Sequence, residues 1–258
     1  MSISLKNKIA LVIGGSGQIG AETIDILLKS GALVINLDTK NKKFKSKKYY
    51  FHKIDITDEK QIIEFKKKFL KKYNKLNILI NHAHYKGNTR KLDPNNNFFS
   101  SLDNYPSNEW KKTLEVNLNG MFFLTKHFIK VMLKSKNPVI LNTSSIYGKV
   151  SPNKNIYGKS GINSPVGYTA TKAAIIGFTK YIAAHYGEKG LRANVLVPGG
   201  VENKSQSSFF KKNYSKLTPL KRMSKKNDYK EAVLFLVSDK SSYMTGSEIV
   251  IDGGWTIW

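Results

Sequence analysis

Seven short runs rich in Val, Ile and Leu recur along the 258 residues, separated by longer amphipathic segments. Continuous apolar runs of this length are typical of strands buried on both faces, and the longer segments suit the crossover helices that parallel strands need. The alternation predicts one α/β domain over residues 1–258, with a doubly wound parallel sheet of about seven strands and helices on both faces. The predicted strands are Ile9–Ile13, Leu33–Leu37, Tyr49–Ile54, Ile78–Asn81, Val139–Thr143, Arg192–Val197 and Glu248–Ile251. The predicted helices are Ile19–Lys29, Asp58–Lys72, Ser107–Lys134, Gly167–Tyr186 and Asp228–Val237.

Two segments fit neither element type. Residues 86–105 are rich in Asn, and residues 149–165 are rich in Lys, Asn and Gly. Loops this long inside a compact domain are usually functional or disordered. We expect substrate loops at about 84–106 and 149–166, with a third at about 199–220.

The charge balance limits the classes of partner. The net charge is +25, but only three of the 43 basic residues are arginine, and the lysines are spread along the chain. Nucleic-acid sites usually combine arginine forks with stacked aromatics, so we expect solvated lysines and no nucleic-acid partner; attraction of acidic partners is the alternative. No apolar run is long enough to span a bilayer and no signal peptide is recognisable, so we expect a cytoplasmic protein without a membrane partner. Without cysteine there is no thiolate ligand, and we expect no metal.

The first predicted strand runs into Gly14-Gly15-Ser16-Gly17-Gln18-Ile19-Gly20, which opens a helix. In a Rossmann-type sheet this turn lies at the crevice where ligands bind, and glycine lets the backbone approach a pyrophosphate at the helix N-terminus. Gly14 would make the turn, Gly17 the close approach and Gly20 the contact between helix and strand. A tight turn in any α/β protein also needs glycine, so this motif alone leaves a purely structural turn open.

An acidic residue follows at the distance that a dinucleotide site requires. Asp38 ends the second predicted strand, 18 residues after Gly20. An acid at this position accepts hydrogen bonds from the adenosine ribose hydroxyls and repels a 2′-phosphate, which predicts NAD(H). Lys40, Lys42 and Lys43 follow closely, and NADP(H) is the alternative.

The residues for acid–base chemistry occur later in the chain. Tyr168 and Lys172 lie four apart on a predicted helix and share one face, so Lys172 can lower the pKa of the phenol. A tyrosinate could take the proton of an alcohol while the cofactor takes the hydride. Ser145 ends the fifth strand region. Such a pair also occurs by chance on amphipathic helices, but the order of the surrounding features argues against chance.

That order resembles the short-chain dehydrogenase/reductase family over essentially the whole chain. The features are the glycine turn, Asp38, Asp55, Asn81-His82-Ala83, Asn117, Ser145, Tyr168, Lys172, Pro198-Gly199 and Asp252-Gly253-Gly254. The resemblance implies that Tyr168 is the general acid/base and that Lys172 is its pKa partner and a ribose ligand. It also implies that Ser145 orients the substrate and that Asn117 links the lysine to a proton-relaying water.

The resemblance further implies a cofactor site. Asp55 and Ile56 match the adenine-binding pair, Asn81 lies beside the adenosine end, and the loop from Pro198 to Val201 meets the nicotinamide carboxamide. The complete set of predicted cofactor-binding residues is Gly14, Ser16, Gly17, Gln18, Ile19, Gly20, Asp38, Asp55, Ile56, Asn81, Ala83, Tyr168, Lys172, Pro198, Gly199 and Val201.

The chain departs from the family pattern at several positions. Gln18 stands where short members commonly have glycine, and Ile13 where they commonly have Thr. His84 replaces the glycine that commonly ends the Asn-Asn-Ala-Gly motif, and His82 replaces its second Asn. Either histidine could face the substrate; the interpretation that we favour is that both are structural residues at the strand end.

The substrate region suggests a narrower similarity. Ser145 and Tyr168 are 23 residues apart, more than is usual in the family, and the extra residues would cover the catalytic hydroxyls. Together with the "PGGV" loop and the "DGGW" ending, this is similar to oxidoreductases of bacterial surface-sugar pathways, such as legionaminic-acid and flagellin-glycosylation enzymes. It implies NAD(H)-dependent interconversion of a secondary alcohol and a ketone on a polar or anionic sugar derivative. Candidate contacts to a phosphate or carboxylate are Lys86, Arg90, Lys154 and Lys159, for which solvated loop residues are the alternative.

Two other functions compete with this one. A 3-oxoacyl-carrier reductase of the same family would suit a basic surface, but it normally uses NADPH, which Asp38 disfavours. A non-catalytic cofactor-sensing or binding protein has little reason to retain Ser145, Tyr168 and Lys172 together.

The resemblance also implies a homotetramer, or a dimer, formed through the two long helices and the C-terminal strands. Small residues in the second long helix permit close approach of a symmetry mate; they are Ala170, Ala173, Ala174 and Gly177. The apolar ending "GGWTIW" also favours burial in a subunit interface. The alternative is that the alanines face the sheet and the tail folds onto its own subunit.

Overall fold

The computed structural model describes residues 3–87, 97–160 and 162–258. Its seven strands form one sheet in the order β3-β2-β1-β4-β5-β6-β7, and all neighbouring strands are parallel. They are β1 Ile9–Ile13, β2 Leu33–Asp38, β3 Tyr49–Lys53, β4 Ile78–Asn81, β5 Val139–Thr143, β6 Arg192–Pro198 and β7 Glu248–Ile251. The predicted doubly wound Rossmann-type domain is confirmed, and every predicted strand end is within one residue of the observed one.

The described α-helices are α1 Gln18–Lys29, α2 Glu59–Lys72, α3 Ser107–Leu114, α4 Gly120–Met132, α5 Val166–Tyr186, α6 Ser208–Leu217 and α7 Lys230–Val237. The helix predicted at Ser107–Lys134 is interrupted by a π-helical turn at Glu115–Asn119. Helix α6 lies inside the predicted loop 199–220 and was not predicted. Tyr214 is the one buried residue of this helix.

Alternate residues of each strand supply the two halves of the core. Leu11 and Ile13 of β1 pack with Phe128 in the layer covered by α2, α4 and α5. Ala10 and Val12 face the other layer, which α1 and α7 cover. Side chains of successive strand residues point to opposite faces, which is why a continuous apolar run satisfies both layers.

The strand order creates a crevice at the carboxyl edge of the sheet. From β1 the chain winds outward to β2 and β3, and it then returns to β4 on the other side of β1. Ligands of open α/β sheets bind where the winding direction reverses. None of the helices within the described ranges combines the length and apolar character needed to cross a bilayer.

Candidate active site

A cavity of about 660 Å³ occupies this crevice. Most of the predicted site residues line it: Gly14, Ser16, Gly17, Gln18, Ile19, Gly20, Asp38, Ile56, Ala83, Ser145, Tyr168, Lys172, Pro198, Gly199 and Val201. Asp55, Asn81 and Asn117 are not among the lining residues. The volume is in the range of small-molecule and cofactor sites.

The glycine turn requires its glycines at two positions. Gly14 has φ +74°, and a Cβ on it would come within 2.6 Å of the Ala83 backbone nitrogen. A Cβ on Gly20 would collide with the Gly14 carbonyl oxygen. Gly17 is the N-cap of α1 and provides no side-chain cap, so the amides of the first helical turn remain available to an anion.

Asn36, a residue that our sequence analysis missed, holds this turn in place. It is fully buried in β2. Its Oδ1 accepts a hydrogen bond from Gly15 N at 3.1 Å, and its Nδ2 donates to Ser16 Oγ at 3.2 Å and to Tyr49 OH at 3.1 Å. The signal was an amide side chain in the middle of the apolar run "LVINLD", because buried polar groups need partners.

The Asp38 carboxylate lies between the glycine turn and the chain that follows β2. Its Oδ2 accepts from Ser16 N at 3.0 Å and its Oδ1 from Lys40 N at 3.0 Å. Two backbone amides therefore fix the negative charge on the cavity wall, where the prediction places the adenosine ribose.

Asp55, a predicted adenine-binding residue, does not line the cavity. Its Oδ1 accepts from Thr57 N at 3.0 Å and from Thr57 Oγ1 at 2.8 Å. The neighbouring Ile54 and Ile56 side chains line the cavity. Asp55 thus stabilises the turn that presents these two apolar residues.

Asn81 connects the strands beneath the cavity. Its Nδ2 donates to Asn142 Oδ1 at 2.7 Å, and Asn142 Nδ2 donates to Thr179 Oγ1 at 2.9 Å. These bonds join β4, β5 and α5. The Asn81 Oδ1 atom is buried without a hydrogen-bond partner within the described ranges.

Asn117 lies in the π-helical turn and joins two sides of the site. Its Oδ1 accepts from Tyr85 N at 2.6 Å, and its Nδ2 donates to Thr171 Oγ1 at 3.0 Å. Thr171 stands next to Lys172 on α5. Asn117 therefore fixes the segment after β4 to the helix that carries Tyr168 and Lys172.

Lys172 is a buried cation with a backbone partner. It is 2% exposed, and its Nζ donates to the Thr143 carbonyl at 2.8 Å. The Nζ lies 5.5 Å from the centroid of the Tyr168 ring. Burial lowers the pKa of Lys172 to about 7, because desolvation disfavours the ammonium form.

The pKa of Tyr168 differs from the expectation. Burial raises it, and the hydrogen bond with Ser145 acts in the opposite direction. The net lowering that the sequence predicted is not found, because desolvation of the phenolate outweighs its hydrogen bond with Ser145. Ser145, the predicted substrate-orienting residue, is hydrogen-bonded to Tyr168.

The two histidines have different surroundings. His82 is 6% exposed, with Nε2 2.9 Å from Thr23 Oγ1 and Nδ1 2.7 Å from Thr143 Oγ1. It is structural, as favoured, and burial lowers its pKa to about 3. Both histidines line the cavity, but His84 is exposed, and its ring centroid lies 6.1 Å from that of Tyr168 in an edge-to-face arrangement.

Four aromatic rings, which we call the aromatic wall, extend from the part of the site that holds the predicted catalytic residues. Their centroids are 5.4 Å apart for Tyr157 and Phe210, 5.9 Å for Phe210 and Tyr214, and 4.1 Å for the stacked Tyr214 and Trp255. The first three of these residues line the cavity. Gly200 N donates to Tyr214 OH at 2.6 Å, which fixes the wall to the loop after β6.

All three predicted substrate loops supply lining residues. They contribute His84 and Lys86, Tyr157, and Phe210 with Tyr214, respectively. A second cavity of about 830 Å³ shares Tyr157 and Phe210 with the first.

The four candidate anion contacts are distributed unevenly. Lys86 lines the first cavity and Lys159 the second. Lys154 lines neither cavity, and Arg90 lies outside the described residues. The described part of the chain contains no cluster of three or more metal-ligating side chains.

Comparisons with known proteins identify the family to which this chain belongs. The family described as enoyl-(acyl carrier protein) reductase matches residues 16–256. A 3-oxoacyl-[acyl-carrier-protein] reductase of Thermotoga maritima is 32% identical over 98% of this chain and 99% of its own. A short-chain dehydrogenase of Leptospira borgpetersenii, solved with bound NAD+, is 37% identical with a TM-score of 0.89, covering 98% of this chain and 94% of that one. Aldohexose dehydrogenase of Thermoplasma acidophilum is 26% identical with a TM-score of 0.84, covering 100% and 97%. This chain belongs to the short-chain dehydrogenase/reductase family, and it is an oxidoreductase that acts on CH–OH groups with NAD(P) as its cofactor.

Proposed function

We propose that this enzyme interconverts a secondary alcohol and a ketone on a polar or anionic sugar derivative, such as a surface-glycan or nonulosonate precursor, with NAD(H). The observation that carries the proposal is one continuous cavity. One part is formed by the glycine turn and Asp38, and another by Ser145, Tyr168 and Lys172. A dinucleotide and a substrate can therefore meet at the catalytic hydroxyls.

The residues of the cavity fit a nicotinamide dinucleotide. The turn at Gly14 and Gly20 leaves no space for a Cβ, and the uncapped N-terminus of α1 suits a pyrophosphate. The fixed Asp38 carboxylate suits a ribose diol and opposes a 2′-phosphate, which supports NAD(H) over NADP(H). Lys40 also lines the cavity, and NADP(H) is retained as the alternative.

The side chains around the phenol have separate tasks. When bound, the cofactor accepts or supplies the hydride. Ser145 hydrogen-bonds Tyr168, and its hydroxyl can orient the oxygen of the substrate. Tyr168 takes the alcohol proton in oxidation and returns it in reduction. Lys172 sits beside the ring, and when it is protonated its charge opposes the desolvation that raises the pKa of the phenol.

The proposed substrate class rests on the walls of the cavity. The aromatic wall offers flat apolar surfaces that suit the C–H faces of a sugar ring, and Lys86 and Lys159 offer charge to a phosphate or carboxylate. One relative is an aldohexose dehydrogenase, which agrees with a sugar substrate. The second candidate function is reduction of a 3-oxoacyl group on an acidic carrier, favoured by the Thermotoga relative and by the net charge of +25.

We also propose that the enzyme is a homotetramer, or a dimer, that acts on a small molecule in the cytoplasm. The outer face of α5 carries the exposed small residues Ala173, Ala174 and Gly177, and the exposed Phe122 lies close to it on α4. These residues leave room for a second copy of the chain. We propose no nucleic-acid or membrane partner.

An activity assay tests the proposal. Sugar phosphates, nucleotide sugars and acyl-carrier mimics should be offered with each cofactor to the wild-type chain and to Tyr168→Phe. Loss of the phenol oxygen should reduce turnover by about 10²–10⁴-fold. Tyr243→Phe, which removes a hydroxyl from a fully exposed position outside the cavity lining, is the matched control and should keep wild-type turnover. Near-wild-type turnover by Tyr168→Phe would refute the mechanism, and turnover of acyl-carrier mimics alone would refute the sugar substrate.

A further inference from the structure

His84 lies on the cavity wall beside the catalytic phenol, and the proposed proton and hydride transfer does not involve it. Its ring meets the Tyr168 ring edge to face, with centroids 6.1 Å apart. The side chain is exposed to the cavity, although protein surrounds it. A group that binds at the Tyr168 hydroxyl would therefore have His84 as a close neighbour.

The backbone determines which nitrogen of His84 carries the proton. Nδ1 lies 3.4 Å from the carbonyl oxygen of His82. A carbonyl oxygen only accepts, so Nδ1 is the donor and Nε2 of the neutral ring is an acceptor. Burial and the nearby charge of Lys172 lower the pKa of His84, which keeps the ring neutral. No described residue donates a hydrogen bond to Nε2.

We propose that His84 Nε2 accepts a hydrogen bond from a second substrate hydroxyl, on the carbon next to the one that reacts. The site would then select vicinal diols and α-hydroxy ketones. Ser145 and Tyr168 hold the reacting oxygen, and His84 is placed to hold its neighbour. A neutral acceptor would instead repel a carbonyl or carboxylate oxygen at that position, and it would gain nothing from a CH₂ group.

This inference rests on the proposed function and narrows it. A 3-oxoacyl chain has a CH₂ group on one side of its ketone and offers no hydroxyl there, whereas a sugar has a hydroxyl on adjoining carbons. His84 thus favours the polyol substrate over the acyl substrate.

Cyclohexanol and cis-cyclohexane-1,2-diol form a matched pair of probes that differ by one hydroxyl. The ratio of kcat/KM for the diol to that for cyclohexanol is measured with NAD+ in the wild-type chain, His84→Phe and His84→Asn. His84→Phe retains a ring against Tyr168 but removes the acceptor, so the ratio should fall about tenfold, the effect of one lost hydrogen bond. His84→Asn, which restores an acceptor, should recover part of the ratio.

Several results would overturn the inference. An equal loss for both probes would mean that His84 is structural. If His84→Phe leaves the kcat/KM ratio unchanged but binds NADH more weakly, as measured by fluorescence, His84 contacts a cofactor hydroxyl instead. Saturation-transfer NMR of both probes with the protein and NADH makes the same comparison without turnover, and equal binding in wild type and His84→Phe would also overturn it. The proposed function fails separately, through full turnover by Tyr168→Phe.

Discussion

Replacing Lys172 with Met should make the protein more stable while it removes activity. Lys172 is 2% exposed, and burial lowers its pKa from 10.5 to about 7. Because the folded state has the lower pKa, folding disfavours the ammonium. The resulting loss of stability is complete below about pH 7 and diminishes as the pH rises towards 10.5, where the lysine is neutral in both states.

The size of the effect follows from the two pKa values. The penalty is about 4 kcal/mol at pH 7 and about 2 kcal/mol at pH 9. Methionine keeps the volume of the aliphatic stem, but loss of the hydrogen bond to the Thr143 carbonyl offsets about 1 kcal/mol of the gain. We therefore expect the free energy of unfolding of Lys172→Met to exceed that of the wild type by about 3 kcal/mol at pH 7 and about 1 kcal/mol at pH 9.

Urea unfolding followed by tryptophan fluorescence, at one protein concentration and at both pH values, measures this difference. Lys130→Met, at an exposed position of α4, is the control and should show no pH-dependent difference. Turnover by Lys172→Met should fall by about 10²-fold or more. A variant that is less stable than the wild type at pH 7, or a difference that is the same at both pH values, would refute the reasoning.

Three further predictions concern the cofactor, the proton and the tail. Asp38→Ala should shift the ratio of kcat/KM for NAD+ to that for NADP+ at least about tenfold towards NADP+, because the repulsion of a 2′-phosphate is removed; an unchanged ratio would show that Asp38 does not discriminate. Since burial raises the pKa of Tyr168, the pH–rate profile of alcohol oxidation should rise from pH 7 into the alkaline range, and ketone reduction should decline only at alkaline pH. Oxidation that slows, or reduction that speeds up, as the pH rises above 7 would contradict this expectation. Removal of residues 255–258 takes away the ring stacked on Tyr214, so KM should rise and assembly should weaken; light scattering that shows the intact chain to be a monomer would contradict the assembly.

Features of the candidate site that depend on local spacing could be predicted from the sequence. The glycine turn after β1 and the four-residue interval between Tyr168 and Lys172 are each contained in one strand–turn–helix or one helix, so they could be read directly. The order of Ser145 and Tyr168 along the chain placed both at the carboxyl edge of the sheet.

What could not be predicted depends on contacts between distant segments. Tyr157, Phe210 and Trp255 come from three separate parts of the chain, and nothing in their spacing indicates that they form one wall. The raised pKa of Tyr168 also depends on distant segments, because they bury the phenol. Helical periodicity identifies the neighbouring charge of Lys172 but does not give the desolvation of Tyr168. The different surroundings of His82 and His84, two residues apart, likewise depend on which partners the fold brings to each ring.

The π-helical turn at Glu115–Asn119 fixes the rotational phase of two helices at once. Helix α3 meets α5 closely, since a Cβ on Gly167 would lie 3.2 Å from Thr113 Cβ, and α4 meets α2 through Phe128 and Phe65, whose rings are 5.9 Å apart. Deleting one residue from the turn would restore a regular helix but rotate α3 against α4 by about 100°. Either contact could then be kept only at the expense of the other. This stretch should therefore tolerate substitution of its exposed side chains far better than any change in its length.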